Sequence, residues 1–386
     1  MKEISKESII GVIGAGTMGG GIAQLAALSG HKVVLFDTSS SAMKQADERL
    51  HKSLDSMIQK GKITNTGADD VKGRIKNAAS FDDFKSCAII IEAVIEDIAI
   101  KREIFRILES CTSADCILAT NTSSLSVTSI AASCKNISRV IGIHFFNPAP
   151  IMPLVEIIPG IATSEETLKV SRSLIDSWKK VTVVAKDTPG FIVNRVARPF
   201  YGEAIRIYEE RLADFATIDW AMKEIGGFKM GPFELMDFIG NDVNFKVTET
   251  VWTQLFYDPR YKPSLTQKRL FEAGFWGKKK GRGYYDYSEG AVIPAPNKDK
   301  KLGDEILFRV LVMLINEAFD AWYLKIATRE DLELAMTKGV NYPKGLIAWG
   351  EEIGLKKVLA KLEELQYLYA EDRYRPSVLL KQMANK

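Results

Sequence analysis

The sequence lacks long apolar runs. Of its 386 residues, 46% are hydrophobic and 26% are charged, which is typical of globular proteins. No apolar stretch approaches the roughly 20 residues that a membrane-spanning helix needs. The first eight residues have neither the apolar core of a signal peptide nor the arginine-rich, acid-poor character of a transit peptide. We therefore expect a cytoplasmic protein without a membrane partner.

Cysteine and histidine are scarce, with four and three residues. No two cysteines form a Cys-x-x-Cys pair, and no histidine stands at a metal-ligand spacing from them, so we expect reduced thiols and no metal site. An excess of charge is also lacking. The 52 basic and 49 acidic side chains leave a net charge of +3, too small for a nucleic-acid-binding surface. A small anionic partner remains compatible with this balance.

Glycine, in contrast, is concentrated near the start of the chain. An apolar segment, Ile9–Ile13, leads into Gly14-Ala-Gly-Thr-Met-Gly19, and residues 20–30 then read as a helix that ends at a glycine. A second apolar segment ends in Asp37. This strand–loop–helix–strand order predicts a dinucleotide site, because the glycines admit a pyrophosphate and the helix N-terminus supplies amide donors. The alternative is a glycine-rich turn in a fold that has lost its cofactor.

Asp37 also bears on the choice of cofactor. It follows the glycine loop at about the 20-residue spacing of a ribose ligand. A carboxylate there binds ribose hydroxyls and repels a 2′-phosphate, and residues 38–42 contain no arginine or lysine that could hold such a phosphate. NAD is therefore favoured over NADP.

Residues 39–77 have charged faces and a narrow apolar stripe, and we interpret them as a helical arm. Two later apolar segments, residues 88–97 and 117–125, read as strands that end in polar side chains. Strand ends of this kind line the ligand crevice of a doubly wound sheet. We expect Glu96, Asn121 and Ser123 to meet at that edge.

His144 ends another apolar run, and Glu156 follows twelve residues later inside the next one. A histidine that a carboxylate orients in apolar surroundings is a good proton-transfer pair. The alternative is a histidine with a purely structural role. The polar strand ends expected beside it favour catalysis.

The second half of the sequence contains a repeat. Residues 203–240 align without gaps on residues 317–354, and Arg260-Tyr-Lys-Pro-Ser264 recurs as Arg373-Tyr-Arg-Pro-Ser377. We predict an NAD-binding α/β domain over residues 1–186, followed by two tandem all-helical domains at 187–288 and 304–386. The proline- and lysine-rich segment Ser288–Asp304 is the predicted linker.

Six motifs occur along residues 8 to about 287: Gly14-Ala-Gly-Thr-Met-Gly, Glu92-Ala-Val-Ile-Glu-Asp, Asn121-Thr-Ser-Ser-Leu, His144-Phe-Phe-Asn-Pro, Pro189-Gly-Phe-Ile-Val-Asn-Arg and Gly281-Arg-Gly-Tyr-Tyr-Asp-Tyr. In this combination the sequence resembles the 3-hydroxyacyl-CoA dehydrogenases, including 3-hydroxybutyryl-CoA dehydrogenases. The resemblance implies a Rossmann-type domain. The second helical unit resembles the dehydrogenase half of the multifunctional fatty-acid oxidation proteins.

The resemblance also implies roles for individual residues. The catalytic residues it implies are His144, Glu156, Ser123 and Asn194. The cofactor contacts it implies are Gly14, Gly16, Thr17, Met18, Gly19, Asp37, Glu96, Lys101, Ser123, Asn147 and Lys279. The CoA contacts it implies are Ser53, Lys60 and Ser123.

Each of these roles has a structural alternative. Ser123 could instead cap the helix that follows it, Asn194 could be a turn residue, and Lys101 could be a surface lysine. The roles of Ser53 and Lys60 depend almost wholly on the resemblance.

The function implied is the NAD-dependent interconversion of (3S)-3-hydroxyacyl-CoA and 3-oxoacyl-CoA in fatty acid oxidation or related acyl-CoA metabolism, with a short chain such as 3-hydroxybutanoyl-CoA. One alternative is a dehydrogenase of small β-hydroxy acids without CoA. Another is an inactive NAD-binding sensor or structural protein. The repeat leaves two assemblies open: a homodimer, or a monomer in which the two helical units pair within one chain.

Overall fold

The computed structural model describes residues 3–386. The chain divides into two compact units, Met1–Phe191 and Ile192–Lys386. The first combines a sheet with helices and the second is helical, which is the predicted fold class. Residues 192–386 form one compact unit, and their further division into two domains stays a prediction. No helix in the described part of the chain is long and apolar enough to cross a membrane.

Eight strands form the sheet of the first unit: β1 Ile9–Ile13, β2 Lys32–Phe36, β3 Ile75–Asn77, β4 Cys87–Glu92, β5 Ile117–Thr120, β6 Val140–Phe145, β7 Leu154–Pro159 and β8 Val181–Val184. Their order is β3-β2-β1-β4-β5-β6-β7-β8. Strands β1 to β6 run parallel, and β7 runs antiparallel to β6. The central strands are almost continuously apolar and buried, as expected for a parallel sheet.

The α-helices of this unit are α1 Thr17–Leu28, α2 Ser40–Gln59, α3 Asn65–Arg74, α4 Ile98–Cys111, α5 Val127–Ala131 and α6 Glu165–Ser177. The helical interpretation of residues 39–77 is wrong at its end, because Ile75–Asn77 form the edge strand β3. Ile75 already has an extended backbone, and it pairs with Val33 of β2. A three-residue edge strand is too short to produce a recognisable alternation of polar and apolar residues.

The second unit contains α7 Val193–Val196, α8 Arg198–Glu209, α9 Phe215–Trp220, α10 Pro232–Ile239, α11 Asn241–Gln254, α12 Leu265–Glu272, α13 Lys300–Tyr323, α14 Arg329–Leu334, α15 Leu346–Ile353, α16 Leu355–Tyr369 and α17 Val378–Ala384. The predicted linker Ser288–Asp304 is too long at its C-terminal end, because α13 begins at Lys300. Asp299 caps this helix, and its side chain accepts from the amide of Leu302 at 2.8 Å.

The repeat is visible in the backbone of the second unit. Each copy contains one turn of π-helix, at Ala221–Ile225 and at Ala335–Gly339. Each copy then ends a helix at a glycine with a positive φ, 104° at Gly240 and 96° at Gly354. A π-helical turn is rare, so its recurrence at equivalent positions supports a duplication.

Charged clusters join the two copies. Glu317, on α13, lies in a buried cluster that we call the Glu317 cluster. Its carboxylate accepts from Arg195 at 3.1 Å, from Arg260 at 3.4 Å and from the hydroxyl of Tyr261. All three donors belong to the first copy.

The Glu203 cluster is the counterpart on α8. Glu203 accepts from Arg309 at 2.6 Å and from the hydroxyl of Tyr374 at 2.9 Å, and Arg373 lies 3.9 Å away. These partners belong to the second copy. Each copy therefore supplies the cations that neutralise the buried glutamate of the other.

Candidate active site

The glycine loop connects β1 to α1 at the carboxyl edge of the sheet. Gly14 has a φ of 101°, and a Cβ there would lie 2.6 Å from the carbonyl oxygen of Ala93. A Cβ on Gly19 would lie 1.8 Å from the carbonyl oxygen of Gly14. A Cβ on Gly16 would meet no described atom within 4 Å. Two of the glycines are thus required by packing, whereas the third leaves open space above the loop.

The N-terminus of α1 faces this open space without a side-chain cap among the described residues. The other α-helices of the unit are each capped by a serine, threonine or aspartate side chain: Ser39, Thr64, Asp97, Ser126 and Ser164. Uncapped amides and the positive end of a helix dipole are suited to a phosphate group. The loop and helix therefore fit the pyrophosphate of a dinucleotide.

Asp37 follows β2 and holds the loop from one side. Its carboxylate accepts from the amide of Ala15 at 2.7 Å and from the amide of Ser39 at 2.8 Å. Arg49, on α2, donates to the carbonyl of Ala15 at 2.8 Å. An acid at the end of the second strand suits a ribose. Arg49 could not be recognised from the sequence, because its contact with the loop depends on how α2 packs.

Glu96 binds the residues that directly follow β5. Its carboxylate accepts from the hydroxyl of Thr122 at 2.6 Å and from the amides of Ser123 and Ser124 at 2.9 and 3.0 Å. Burial alone would raise the pKa of Glu96, but the positive charge of Lys101 and these donors outweigh burial and lower that pKa. Glu96 is therefore an anion that fixes the position of Ser123.

Lys101 is buried beneath Glu96, with 1% of its surface exposed. Its ammonium donates to Glu92 at 2.7 Å and lies 3.4 Å from Glu96. Glu92 also accepts from the hydroxyl of Thr120 at 2.8 Å. The alternative that Lys101 is a surface lysine is wrong. Glu92 belongs to the 92–97 motif, but the sequence did not indicate that it binds Lys101.

The cap alternative for Ser123 is also wrong. Helix α5 begins three residues later than that alternative requires, and the side chain of Ser126 caps it by accepting from the amide of Ser129. Asn121, at the same strand end, accepts from the amide of Phe145 at 2.8 Å. The structure therefore brings Glu96, Asn121 and Ser123 to one edge, beside the end of β6.

His144 and Glu156 are directly paired across β6 and β7. The imidazole Nδ1 lies 2.7 Å from Glu156 Oε2, and the two residues are 6% and 0% exposed. An ionised carboxylate can accept but not donate, so Nδ1 carries the proton in this bond. The Nε2 atom is then the position that can take or give a proton.

Two aromatic rings flank the imidazole. The ring centroid of His144 lies 4.6 Å from that of Phe146 and 5.9 Å from that of Phe191. Asn147, the next residue after Phe146, is exposed in the loop between β6 and β7. The apolar surroundings strengthen the charged hydrogen bond between the pair.

The remaining predicted residues lie in α2, directly after it, or in the second unit. Ser53, on α2, accepts from the side chain of Gln24 at 2.7 Å, and Lys60 is exposed at the end of the same helix. In the second unit, Asn194 lies within α7, which excludes the turn alternative. Lys279 is exposed there and forms an ion pair with Asp242 at 2.6 Å. No metal-binding group of three or more His, Cys, Asp or Glu side chains occurs among residues 3–386.

Comparison with known proteins identifies the family. The NAD binding domain of 3-hydroxyacyl-CoA dehydrogenase matches residues 9–188, and the C-terminal domain of 3-hydroxyacyl-CoA dehydrogenase matches residues 190–287 and 306–386. The chain belongs to the 3-hydroxyacyl-CoA dehydrogenase family. The C-terminal domain model thus matches two separate segments of this dehydrogenase, residues 190–287 and 306–386.

Two relatives and one solved structure illustrate the match. This family member is 36% identical to the 3-hydroxyadipyl-CoA dehydrogenase of Escherichia coli K12, over 97% of each chain. It is 42% identical to a probable 3-hydroxybutyryl-CoA dehydrogenase of Bacillus subtilis strain 168, over 72% of this chain and 96% of the relative. The crystal structure of 3-hydroxybutyryl-CoA dehydrogenase from Escherichia coli K12 matches with a TM-score of 0.93 and 35% identity, over 98% of each chain.

Proposed function

We propose that this protein is an NAD-dependent 3-hydroxyacyl-CoA dehydrogenase that interconverts (3S)-3-hydroxyacyl-CoA and 3-oxoacyl-CoA of short chain length, such as 3-hydroxybutanoyl-CoA. The observation that carries the proposal is the buried pair of His144 and Glu156, with Nδ1 and Oε2 2.7 Å apart. Family membership supports the reaction class.

The proposed role of His144 is that of general base and acid. In oxidation, Nε2 takes the proton of the substrate 3-hydroxyl, and in reduction it returns that proton. Glu156 holds the tautomer that leaves Nε2 free and stabilises the imidazolium. The dinucleotide, when bound, accepts or supplies the hydride at C3 of the substrate.

The cofactor proposed is NAD. The open space at Gly16, the uncapped start of α1 and the carboxylate of Asp37 fit a dinucleotide whose ribose has no 2′-phosphate. The further contacts that we propose for the cofactor are Gly14, Thr17, Met18, Gly19, Glu96, Lys101, Ser123, Asn147 and Lys279. Because Lys101 is buried against Glu92 and Glu96, we propose that it acts through them.

The CoA contacts proposed are Ser53, Lys60 and Ser123. As catalytic residues, Ser123 and Asn194 are proposed to hydrogen-bond the reacting oxygen or the thioester carbonyl. Ser53 lies on α2 and Lys60 directly follows it, and the exposed ammonium of Lys60 suits the phosphates of CoA.

The decisive experiment measures NADH oxidation by the full chain with 3-oxoacyl-CoA thioesters of four to sixteen carbons and with the dicarboxylic 3-oxoadipyl-CoA. We expect the highest kcat/KM with acetoacetyl-CoA. NADPH is measured in parallel and is expected to be the poorer cofactor. A preference for 3-oxoadipyl-CoA would keep the reaction class and overturn the assigned chain length.

The alternative functions are tested in the same assay. Equal activity on free acetoacetate and on its CoA thioester would favour a dehydrogenase of small β-hydroxy acids. NADH binding without turnover of any thioester would favour a sensor or structural protein.

A further inference from the structure

Lys180 is a buried lysine with no carboxylate partner among residues 3–386. It directly precedes β8 and is 9% exposed. Its ammonium donates to two backbone carbonyls, those of Ala149 and Met152, both at 2.7 Å. Burial lowers its pKa to about 8. Burying a cation that binds only carbonyls costs desolvation free energy. We therefore asked what the ammonium of Lys180 stabilises.

The two carbonyls belong to the loop between β6 and β7. This loop, residues 146–153, joins the strand of His144 to the strand of Glu156 and carries Asn147. Within the loop, the amides of Ile151 and Met152 both donate to the carbonyl of Pro148 at 3.0 Å. The loop has no titratable side chain of its own, so Lys180 provides its charged anchor.

The same loop also packs on α1, the helix of the dinucleotide site. A Cβ on Gly21, in α1, would lie 3.2 Å from Pro150 Cδ and 3.4 Å from Ala149 Cβ. The loop therefore has two anchors, its packing on α1 and the ammonium of Lys180. Removing the ammonium would leave two carbonyls without partners and release one of these two anchors.

We propose that Lys180 is a positioning residue for the cofactor. By fixing residues 146–153 against α1, it sets where the side chain of Asn147 meets the dinucleotide and keeps Phe146 against His144. This inference rests on the proposed function, because it assumes that Asn147 faces the cofactor. It assigns no chemical step to Lys180.

The test compares Lys180→Met with Lys179→Met. Lys179 is the neighbouring lysine and is exposed, so its replacement removes the same charge without touching the loop. We expect Lys180→Met to raise the Kd for NADH, measured by NADH fluorescence, roughly tenfold or more. The KM for acetoacetyl-CoA should stay within about twofold of the wild type, and Lys179→Met should match the wild type in both.

Two results would overturn the proposal. One is a Kd for NADH equal to that of Lys179→Met. The other is a rise in the KM for acetoacetyl-CoA by the same factor as the Kd, which would indicate general damage. If Lys180→Met does not fold, Lys180→Gln keeps a neutral donor and is expected to raise the Kd about threefold. An unchanged Kd in that variant would also overturn the proposal.

The binding assay separates this inference from the proposed function. The fluorescence titration requires NADH binding but no turnover. A wild-type protein that binds NADH and reduces no thioester would overturn the proposed function, while the Kd values of the Lys180 variants would still decide the role of the lysine.

Discussion

At the scale of single residues, the site depends on side chains whose partners lie far away in the sequence. The pairing of His144 with Glu156 could be predicted, since a histidine and a carboxylate twelve residues apart in apolar segments fit a pair of neighbouring strands. The partners of Lys101 and Lys180 could not be predicted from the sequence. Both lysines look like surface residues in sequence, because burial of a cation is decided by long-range packing.

The first prediction concerns the proton carrier. Replacing His144 by alanine removes the general base, so we expect kcat to fall at least about 100-fold while NADH still binds. Steady-state kinetics and NADH fluorescence measure the two effects. His51→Ala is the control, because His51 lies on the exposed arm helix α2. A kcat near the wild-type value in His144→Ala would remove the imidazole from the mechanism.

The second prediction concerns Glu156. Glutamine keeps an acceptor for Nδ1 but no negative charge, so Glu156→Gln should fold, lower kcat and change the pH profile of kcat. The profile is the informative measurement, because a carboxylate that only supports the fold would alter the thermal midpoint and leave the profile as in the wild type.

At the scale of elements, the sequence predicted the strand–loop–helix unit well. Its signals are local: glycines in the loop, an apolar strand before it and an acid after the next strand. The predicted element bounds were wrong at residues 75–77 and 300–304. Residues 75–77 become a strand because β2 offers them a partner, whereas residues 300–304 become helical because Asp299 caps them.

The third prediction uses the glycine loop. Gly16 has a φ of −63°, which alanine adopts readily, and a Cβ there meets no described atom within 4 Å. We expect Gly16→Ala to keep the thermal midpoint of the wild type. The methyl group would occupy the space of the pyrophosphate and raise the Kd for NADH roughly tenfold or more.

Gly73, within α3, provides the matched control, since a Cβ there also meets no described atom within 4 Å. Gly73→Ala should leave the Kd for NADH unchanged and stabilise the helix by about 0.5–1 kcal/mol. Equal NADH binding by the two variants would place the dinucleotide elsewhere.

At the scale of the whole molecule, the chain consists of two units of different construction. The first holds the paired histidine and glutamate and the glycine loop. The second is built from a duplicated helical unit, and its two charged clusters exchange partners between the copies. A few identities made the repeat visible in the sequence. The structure was needed to show which residues of one copy bind residues of the other.

The fourth prediction concerns the Glu203 cluster. Replacing Arg309 by methionine leaves the buried carboxylate of Glu203 without its 2.6 Å partner, which should destabilise the protein by about 3–5 kcal/mol. Thermal and denaturant unfolding measure the loss. Lys300→Met is the control, because its ion pair with Asp304 is exposed and should contribute less than about 1 kcal/mol.

Adding Glu203→Gln to Arg309→Met removes the uncompensated charge, so the double variant should recover part of the stability. If Arg309→Met unfolds like the Lys300→Met control, the cluster contributes no more than a surface pair.

The exchange of partners also constrains how the two copies can diverge. Because Glu203 pairs with Arg309 of the other copy, we expect a change at Glu203 to be tolerated best together with a change at Arg309, and we expect the same of Glu317 and Arg195. These positions should therefore vary in concert across the repeat boundary while the surrounding residues drift freely. Such coupling would favour keeping the glutamate, arginine and tyrosine that the two copies share, although the copies differ at most other positions.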